Sequence, residues 1–182
     1  NIAIGSYAMK DTDGGSVSRA SDDCVFIGYD AGGGEWANLD NSNCIGIGTS
    51  ALSGDLSGDT TDGSVAIGTS ALAALTSGAG NVAVGYRSLH ATDDGAKNTA
   101  VGYDSLSSNV GDENTAVGHL AGYDATGAEN TFIGSSAGTN IGSTNGNVAV
   151  GRYALYTSTG AVDCIAIGRQ AMYGGNATQA GT

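Results

Sequence analysis

The side chains that most often carry acid–base or nucleophilic chemistry are scarce in this sequence of 182 residues. His90 and His119 are its two histidines, and His119 stands where other copies of an internal repeat have Tyr, Thr, Ser or Arg. Hydrolytic and transfer sites bring a nucleophile, a base and an orienting acid together, and no such set recurs along the chain. We therefore interpret both histidines as surface substitutions and expect neither catalytic residues nor an enzymatic function.

Carboxylates beside glycines are the residues best suited to bind calcium, and Asp11, Asp13, Asp59 and Asp62 have such surroundings. A calcium loop needs either twelve residues closed by a glutamate or the nonapeptide pattern G-G-x-G-x-D. The sequence has neither. These aspartates are typical of solvated turns, with adventitious binding of divalent ions as the alternative, so we expect no specific metal site.

The segment GIGTSA at 46–51 matches the loose dinucleotide-binding pattern G-x-G-x-x-A. Its residues occupy fixed positions of the internal repeat, which accounts for them without a ligand. We expect no bound cofactor.

The three cysteines, Cys24, Cys44 and Cys164, all occupy the first position of a repeat, where Asn or Ser stands in other copies. An odd number of cysteines in a chain of this length does not indicate a disulfide framework. We interpret them as small, semi-buried fillers. A stacked or interchain disulfide between Cys24 and Cys44 stays open, although in-register parallel strands suit it poorly.

The elements that must position all these residues are ten copies of one short repeat, aligned on a glycine. The copies begin 23, 20, 20, 17, 17, 16, 16, 17 and 17 residues apart. Such internal self-similarity is the signature of stacked architectures. The ten segments are Asn1 to Gly5 (NIAIG), Cys24 to Gly28 (CVFIG), Cys44 to Gly48 (CIGIG), Ser64 to Gly68 (SVAIG), Asn81 to Gly85 (NVAVG), Asn98 to Gly102 (NTAVG), Asn114 to Gly118 (NTAVG), Asn130 to Gly134 (NTFIG), Asn147 to Gly151 (NVAVG) and Cys164 to Gly168 (CIAIG).

The residue pattern inside each copy predicts β-strands. The second position carries Ile, Val or Thr, the fourth Ile or Val, and the third usually Ala, which is the period-two alternation of a strand. After the glycine come two variable residues, then Ala or Ser, then in most copies Leu, Met or Gly, which predicts a second short strand. Gly, Asp, Ser, Asn and Thr between copies predict turns.

Two strands and two turns in 16 or 17 residues fit a flattened, two-sided β-roll. A three-sided hexapeptide helix would need about 18 residues with three similar strands. We expect the aliphatic side chains to face inward and the Ala and Gly face to accept another chain. One coil is expected to bury about three aliphatic side chains, worth about 1.5–3 kcal/mol each, while ordering each residue costs roughly 1.5 kcal/mol. This imbalance favours an oligomer, and three is the expected number of subunits.

Thr99, Thr115 and Thr131 form a row in three consecutive copies. Such a row invites comparison with ice-binding solenoids. The same position holds Ile or Val in the other copies, so we predict an inward, Val-like role and keep ice binding as a distant alternative.

The early copies are longer, and their additional residues at 10–23 and 33–43 are predicted to form surface loops. Loops carry recognition more often than scaffolds do. Trp36 could stack on a sugar, and with Glu35 and Asn38 it forms the predicted receptor-contact loop. The alternative is that Trp36 packs over its own coil.

The charge and hydrophobicity of the chain limit the kinds of partner that it can bind. Because 18 acidic residues stand against 6 basic ones, with a formal net charge of -12, no basic stripe can neutralise phosphates and a nucleic-acid partner is disfavoured. No apolar run approaches the roughly 18–20 residues of a membrane span, so we expect no membrane insertion by this segment. The chain lacks an initiator Met and a leader pattern, and we expect an internal or processed fragment.

The segments SVAIG, NVAVG and NTAVG, followed by two residues and Ala or Ser, resemble the head repeats of YadA-like trimeric autotransporter adhesins. The longer repeat period, with NVAVGYRSL and NTAVGYDSL as its clearest copies, looks even more like that of repeats in bacteriophage tail fibres, particularly those of marine phages. The resemblance covers essentially the whole chain. It implies a left-handed parallel β-roll of about ten coils in a homotrimeric fibre.

The same resemblance implies a function. We expect residues 1–182 to form a single repeat domain of a structural protein, namely a phage tail fibre or virion appendage shaft. Its expected location is the virion, its expected partners are other virion or appendage proteins, and a host-surface glycan or protein is the candidate receptor. The alternative is the head of a bacterial trimeric autotransporter adhesin on the extracellular cell surface.

Overall fold

A computed structural model describes residues 1–10, 23–34, 41–55 and 61–174. The described residues contain ten three-residue strands, and each occupies positions two to four of its repeat, as predicted. The strands are β1 (Ile2–Ile4), β2 (Val25–Ile27), β3 (Ile45–Ile47), β4 (Val65–Ile67), β5 (Val82–Val84), β6 (Thr99–Val101), β7 (Thr115–Val117), β8 (Thr131–Ile133), β9 (Val148–Val150) and β10 (Ile165–Ile167).

All ten strands join one parallel sheet in chain order, from β1 to β10. Equivalent positions of neighbouring repeats pair directly, so that Thr99 lies opposite Thr115 and Val101 opposite Val117. Each strand therefore bonds only to the copies before and after it. This confirms an all-β solenoid with one repeat per coil, while its handedness stays a prediction.

The predicted second strand is wrong. The residues after each repeat glycine form turns in which left-handed residues flank the Ala or Ser position, as Asp104 (φ 48) and Leu106 (φ 46) flank Ser105. Hydrogen bonds between coils continue there; for example, the Leu106 backbone N–H donates to the Ala121 carbonyl at 3.0 Å. A left-handed conformation costs a non-glycine residue roughly 1–2 kcal/mol, and these bonds between coils offset that cost.

The inward face of the sheet is the small one, which reverses our expectation. Ala66, Ala83, Ala100 and Ala116 at the third repeat position, the middle of each strand, are fully buried, whereas the second and fourth repeat positions are only partly covered. The core is instead filled from the opposite side of the coil by the residue four places after the repeat glycine. In five coils that residue is a fully buried leucine: Leu52, Leu72, Leu89, Leu106 and Leu155.

Two phenylalanines replace alanine on the inward face, and glycines make room for them. Phe26 and Phe132 are fully buried. A Cβ at Gly32 would lie 2.7 Å from the Phe26 ring, and one at Gly46 would lie 2.6 Å from it. Gly138 occupies the place around Phe132 that Gly32 occupies around Phe26. A large residue on one side of the core is therefore matched by a small residue on the opposite side, so that the total side-chain volume of the core is conserved.

Asparagines at the first repeat position form a buried ladder along the stack. The Asn114 side-chain oxygen accepts hydrogen bonds from the Asn130 backbone N–H at 2.9 Å and from its side-chain amide at 3.1 Å. The Asn114 amide in turn donates to Asn98 Oδ1 at 3.1 Å and to Gly127 O at 2.9 Å. The side chain therefore ties three successive coils together.

The repeat glycine is required by close approach between coils. Gly102 has φ +146, and a Cβ there would collide with the carbonyl oxygen of Gly118 in the next coil. Its conformation and its contact both exclude a side chain.

Candidate functional surface

The aliphatic residues of the strands form the outer surface of the sheet. We call the second and fourth repeat positions, which are the first and last residues of each strand, together the aliphatic face. Away from the two ends, Ile67 is 38%, Val101 37%, Val117 39% and Ile133 43% exposed. Because the strands are in register, these side chains continue from one coil to the next without interruption.

The aliphatic face is large for a surface left in water. Ten rungs at about 4.8 Å and a width of about 10 Å give a patch on the order of 400 Å². The largest contiguous apolar patch of a monomeric soluble protein is commonly about 300–600 Å² and is often a contact site. The arrangement can therefore bind another apolar surface along its length.

The row of threonines lies on this outer face, so the predicted inward role is wrong. Thr99, Thr115 and Thr131 are the first residues of β6, β7 and β8, at the second repeat position, and are half-buried, while Ala100 between Thr99 and Val101 is fully buried. Alternation fixes Thr99 and Val101 on the same side of the sheet. Three hydroxyl groups thus interrupt one edge of an otherwise aliphatic surface.

A column of stacked rings follows the repeat glycine in three consecutive coils. The rings of Tyr86 and Tyr103 are 5.0 Å apart with 19° between their planes, and His119 lies 5.5 Å from Tyr103 at 24°. His119 is exposed, in agreement with its interpretation as a surface residue. Since the ring faces pack on one another, mainly the ring edges are open to solvent.

A second aromatic cluster lies in the last two coils. The rings of Tyr156 and Tyr173 stack 5.1 Å apart at 11°, and Tyr153 meets them edge-on at 5.1 Å and 5.9 Å. The Arg152 guanidinium lies 4.6 Å from the centre of the Tyr153 ring and donates to its hydroxyl at 3.2 Å. Arg169 occupies the position of Arg152 in the next coil. We call these five residues the Arg–Tyr patch.

Carboxylates line a shallow depression along the turns before β7 and β8. Asp94, Asp112, Glu113 and Glu129 contribute to it. A hydrogen bond with Asp93 raises the pKa of Asp94, and Glu113, 2.8 Å from the Lys97 ammonium, raises the pKa of that lysine.

No metal-binding cluster was found among the described residues, where three or more His, Cys, Asp or Glu side chains would have to converge. Asp62 accepts a hydrogen bond from the Ser42 backbone N–H at 2.7 Å, which is a structural role in a turn. Asp11, Asp13 and Asp59 lie outside the described residues.

The three cysteines are buried thiols, more deeply placed than the semi-buried position predicted for them. Cys24 Sγ lies 3.4 Å from the Cys44 backbone N–H, which donates to it. A hydrogen bond from the Cys44 side chain lowers the pKa of Cys24 to about 7, against the opposing effect of burial. The same hydrogen bond and burial raise the pKa of Cys44. Within the pair, the Cys24 thiol therefore loses its proton more readily than an ordinary thiol, whereas the Cys44 thiol retains its proton.

The predicted receptor-contact residues Glu35, Trp36 and Asn38 lie outside the described residues. Sequence reasoning missed three features of the surface: the outward direction of the aliphatic face, the asparagine ladder and the Tyr156–Tyr173 stack. The recurrence of Asn at one repeat position was the available signal for the ladder. Tyr at the same distance from two successive repeat glycines was the signal for the stack.

Comparison of the chain with protein families, with curated proteins and with solved structures found no match. Within the described ranges, no helix is long and apolar enough to cross a membrane.

Proposed function

We propose that this chain is a structural fibre or appendage protein, a segment of a phage tail fibre or virion appendage shaft that assembles as a homotrimer. The aliphatic face is the observation that carries the proposal, because a continuous apolar surface of this size is often a contact site. Its identical spacing in every coil suits a second copy of the same chain.

Energetics support more than one neighbour for each chain. Covering about 400 Å² of apolar surface contributes on the order of 10 kcal/mol before costs. Association costs an estimated 4–15 kcal/mol in lost translational and rotational freedom, and the net charge of -12 on each copy adds repulsion. A closed trimer gives every chain two neighbours, which increases the contact area for each chain that is immobilised.

Light scattering tests the assembly. We expect a mass three times that of the 17.7 kDa chain, together with a β-type circular dichroism spectrum. The triple variant Val84→Asp/Val101→Asp/Val117→Asp is expected to be monomeric, since three carboxylates on the aliphatic face would have to be desolvated.

The matched control is Thr126→Asp/Ser143→Asp/Thr159→Asp, which adds three charges at exposed positions elsewhere and should leave the trimer intact. A monomeric unmodified chain would contradict the proposal. Equal dissociation of both variants would show that added charge alone, and not the aliphatic face, controls assembly.

The placement in a virion rests on the resemblance of NVAVGYRSL and NTAVGYDSL to tail-fibre repeats. The bacterial adhesin head shares the same physics of assembly. Neighbouring genes for baseplate or tail proteins would support the fibre, whereas a membrane-anchor segment downstream in the same chain would favour the adhesin.

The outward direction of Thr99, Thr115 and Thr131 favours ice binding as a second candidate, since it places hydroxyl and methyl groups at regular spacing on an exposed face. A thermal hysteresis measurement tests it. The two functions compete for one face, so a trimer without hysteresis supports the fibre and a monomer with hysteresis supports ice binding.

A further inference from the structure

Among the cationic side chains of the described residues, Lys10 lies over the Tyr7 ring, and Arg87 and Lys97 have carboxylate partners. Arg87 lies 3.4 Å from Asp104, and Lys97 lies 2.8 Å from Glu113. Arg152 and Arg169 form no ion pair with any carboxylate of the described ranges, although acidic residues are three times as numerous as basic ones in the chain. Two exposed arginines without carboxylate partners are therefore an unusual feature of so acidic a molecule.

The fold places these two arginines side by side. Val150 pairs with Ile167 in the sheet, and the Gln170 N–H donates to the Arg152 carbonyl at 2.9 Å. Adjacent rungs are about 4.8 Å apart, so two like charges project from neighbouring backbones. Like charges at such spacing repel each other, and an anion that contacts both would relieve the repulsion.

Aromatic surface borders the cationic pair. Arg152 stacks on Tyr153, whose ring meets the Tyr156–Tyr173 stack edge-on. Tyr173 is 44% exposed. Tyrosine rings offer an apolar surface with a hydrogen-bonding hydroxyl at the tip, which fits the C–H groups and hydroxyls of a sugar ring.

We propose that the Arg–Tyr patch binds an acidic saccharide, with its anionic group on Arg152 and Arg169 and its sugar ring against the tyrosines. Guanidinium groups bind carboxylates and phosphates through paired N–H donors, so both uronic acids and phosphorylated sugars have the required chemistry. A nucleic acid fits less well, because two cations on a chain of net charge -12 cannot offset the repulsion of many phosphates. The patch is distinct from the aliphatic face, so this proposal and the trimer proposal can fail independently.

Saturation-transfer and titration NMR with three probes tests the proposal on the full chain. The probes are a galacturonic acid trisaccharide, galactose 1-phosphate and the neutral galactose trisaccharide. We expect at least one acidic probe to bind with the tyrosine resonances perturbed, and the neutral trisaccharide to bind at least about tenfold more weakly, since a charge-assisted hydrogen bond is worth roughly 1.5–3 kcal/mol. Comparison of the two acidic probes distinguishes carboxylate from phosphate.

Variants assign the site. Arg152→Gln/Arg169→Gln should weaken binding of the acidic probe at least about tenfold, and Tyr156→Leu/Tyr173→Leu should weaken it while the arginines remain. Lys97→Gln, which removes one exposed cation elsewhere, should leave binding unchanged. Circular dichroism of each variant establishes that the fold is retained.

Several outcomes would overturn the proposal. Equal binding of neutral and acidic trisaccharides would exclude a role for the charge, and equal binding of inorganic phosphate alone would exclude a role for the sugar. Equal or tighter binding of a short single-stranded oligonucleotide would indicate a general anion site. Binding of neither acidic probe would leave the patch without the proposed ligand class.

Discussion

At the scale of single residues, the asparagine ladder shows how a polar side chain stabilises a thin core. Asn98, Asn114, Asn130 and Asn147 are buried to within 1% exposure, and each side-chain oxygen satisfies the backbone N–H that begins the next coil. Buried amides need such partners, because an unsatisfied one costs about 1–3 kcal/mol. The sequence shows that Asn recurs at this position, but it does not show which groups the side chains bind, because their hydrogen-bond partners depend on the distance between stacked coils.

Asn114→Ala is expected to lower the free energy of unfolding by roughly 3 kcal/mol, since it removes the acceptor of Asn130 and the donor to Gly127. Urea unfolding followed by circular dichroism measures the loss, and hydrogen exchange should show faster opening at the Asn130 amide. The control is Asn140→Ala, the same substitution at a side chain for which the structure shows no hydrogen bond. Equal stability of the two variants would contradict the role assigned to the ladder.

The paired thiols of Cys24 and Cys44 make stability depend on pH. Cys24 has a pKa lowered to about 7 from 9.0 in the folded chain, so its contribution is gained as the pH rises from about 7 to 9 and is lost as the pH falls through 7. Cys44 has a raised pKa, so its contribution is present below pH 9 and is lost above it.

We therefore predict that the free energy of unfolding attributable to this pair decreases as the pH falls from about 8 to 6, and decreases again as the pH rises above 9. Denaturant unfolding at pH 6, 8 and 10 under reducing conditions measures it. The comparison is with Cys24→Ser, which removes the coupled titration while other groups titrate as before. Parallel pH profiles for the two proteins would refute the coupling.

At the scale of the strand, the sequence predicted the elements and their register but not the direction of their faces. Alternation separates two faces without saying which one is inside. We expected the larger apolar side chains to be inside, yet the narrow coil is already filled, in five coils by a leucine four places after the repeat glycine and in two others by a phenylalanine at the third repeat position. The sequence contained a signal for this arrangement. The two repeats with Phe at the third position, Phe26 and Phe132, have Gly32 and Gly138 four places after the repeat glycine, whereas most repeats with Ala at the third position have Leu there.

Adjacent substitutions on β6 test this orientation. Ala100→Leu adds volume to a fully buried position and should destabilise the chain by about 1–3 kcal/mol or more. Val101→Leu changes a partly exposed position and should alter stability by less than about 0.5 kcal/mol. Both substitutions are made in a background in which Asp at other positions of the aliphatic face prevents association, so that only the stability of the single chain is compared. That background is Val84→Asp/Val117→Asp, which we expect to be monomeric for the same reason as the triple variant, and thermal and urea unfolding of both substitutions in it give the comparison. The reverse order of effects would show that the aliphatic face points inward.

At the scale of the whole molecule, the chain is a linear stack in which each coil contacts its neighbours. Strand order equals chain order throughout the sheet, so stability is close to a sum of coil and interface contributions. The repeat spacing was sufficient to predict this stacking. It could not predict the covering of the aliphatic face, because the same alternation is compatible with an isolated solenoid and with an assembly.

Removal of one complete coil should therefore be tolerated. Deletion of residues 98–113 joins Lys97 to Asn114, so that Asn81 meets Asn114 in the ladder, Ala83 meets Ala116 inside, and Leu89 takes the place of Leu106. We expect a folded chain with a β-type spectrum, an unfolding midpoint lowered by a few degrees and an unchanged subunit number. Deletion of residues 98–105 removes half a coil as the control, and it should abolish cooperative unfolding because the remaining strand positions fall out of register. If both deletions were equally disruptive, the coils would not be the independent, interchangeable units that their hydrogen bonding indicates.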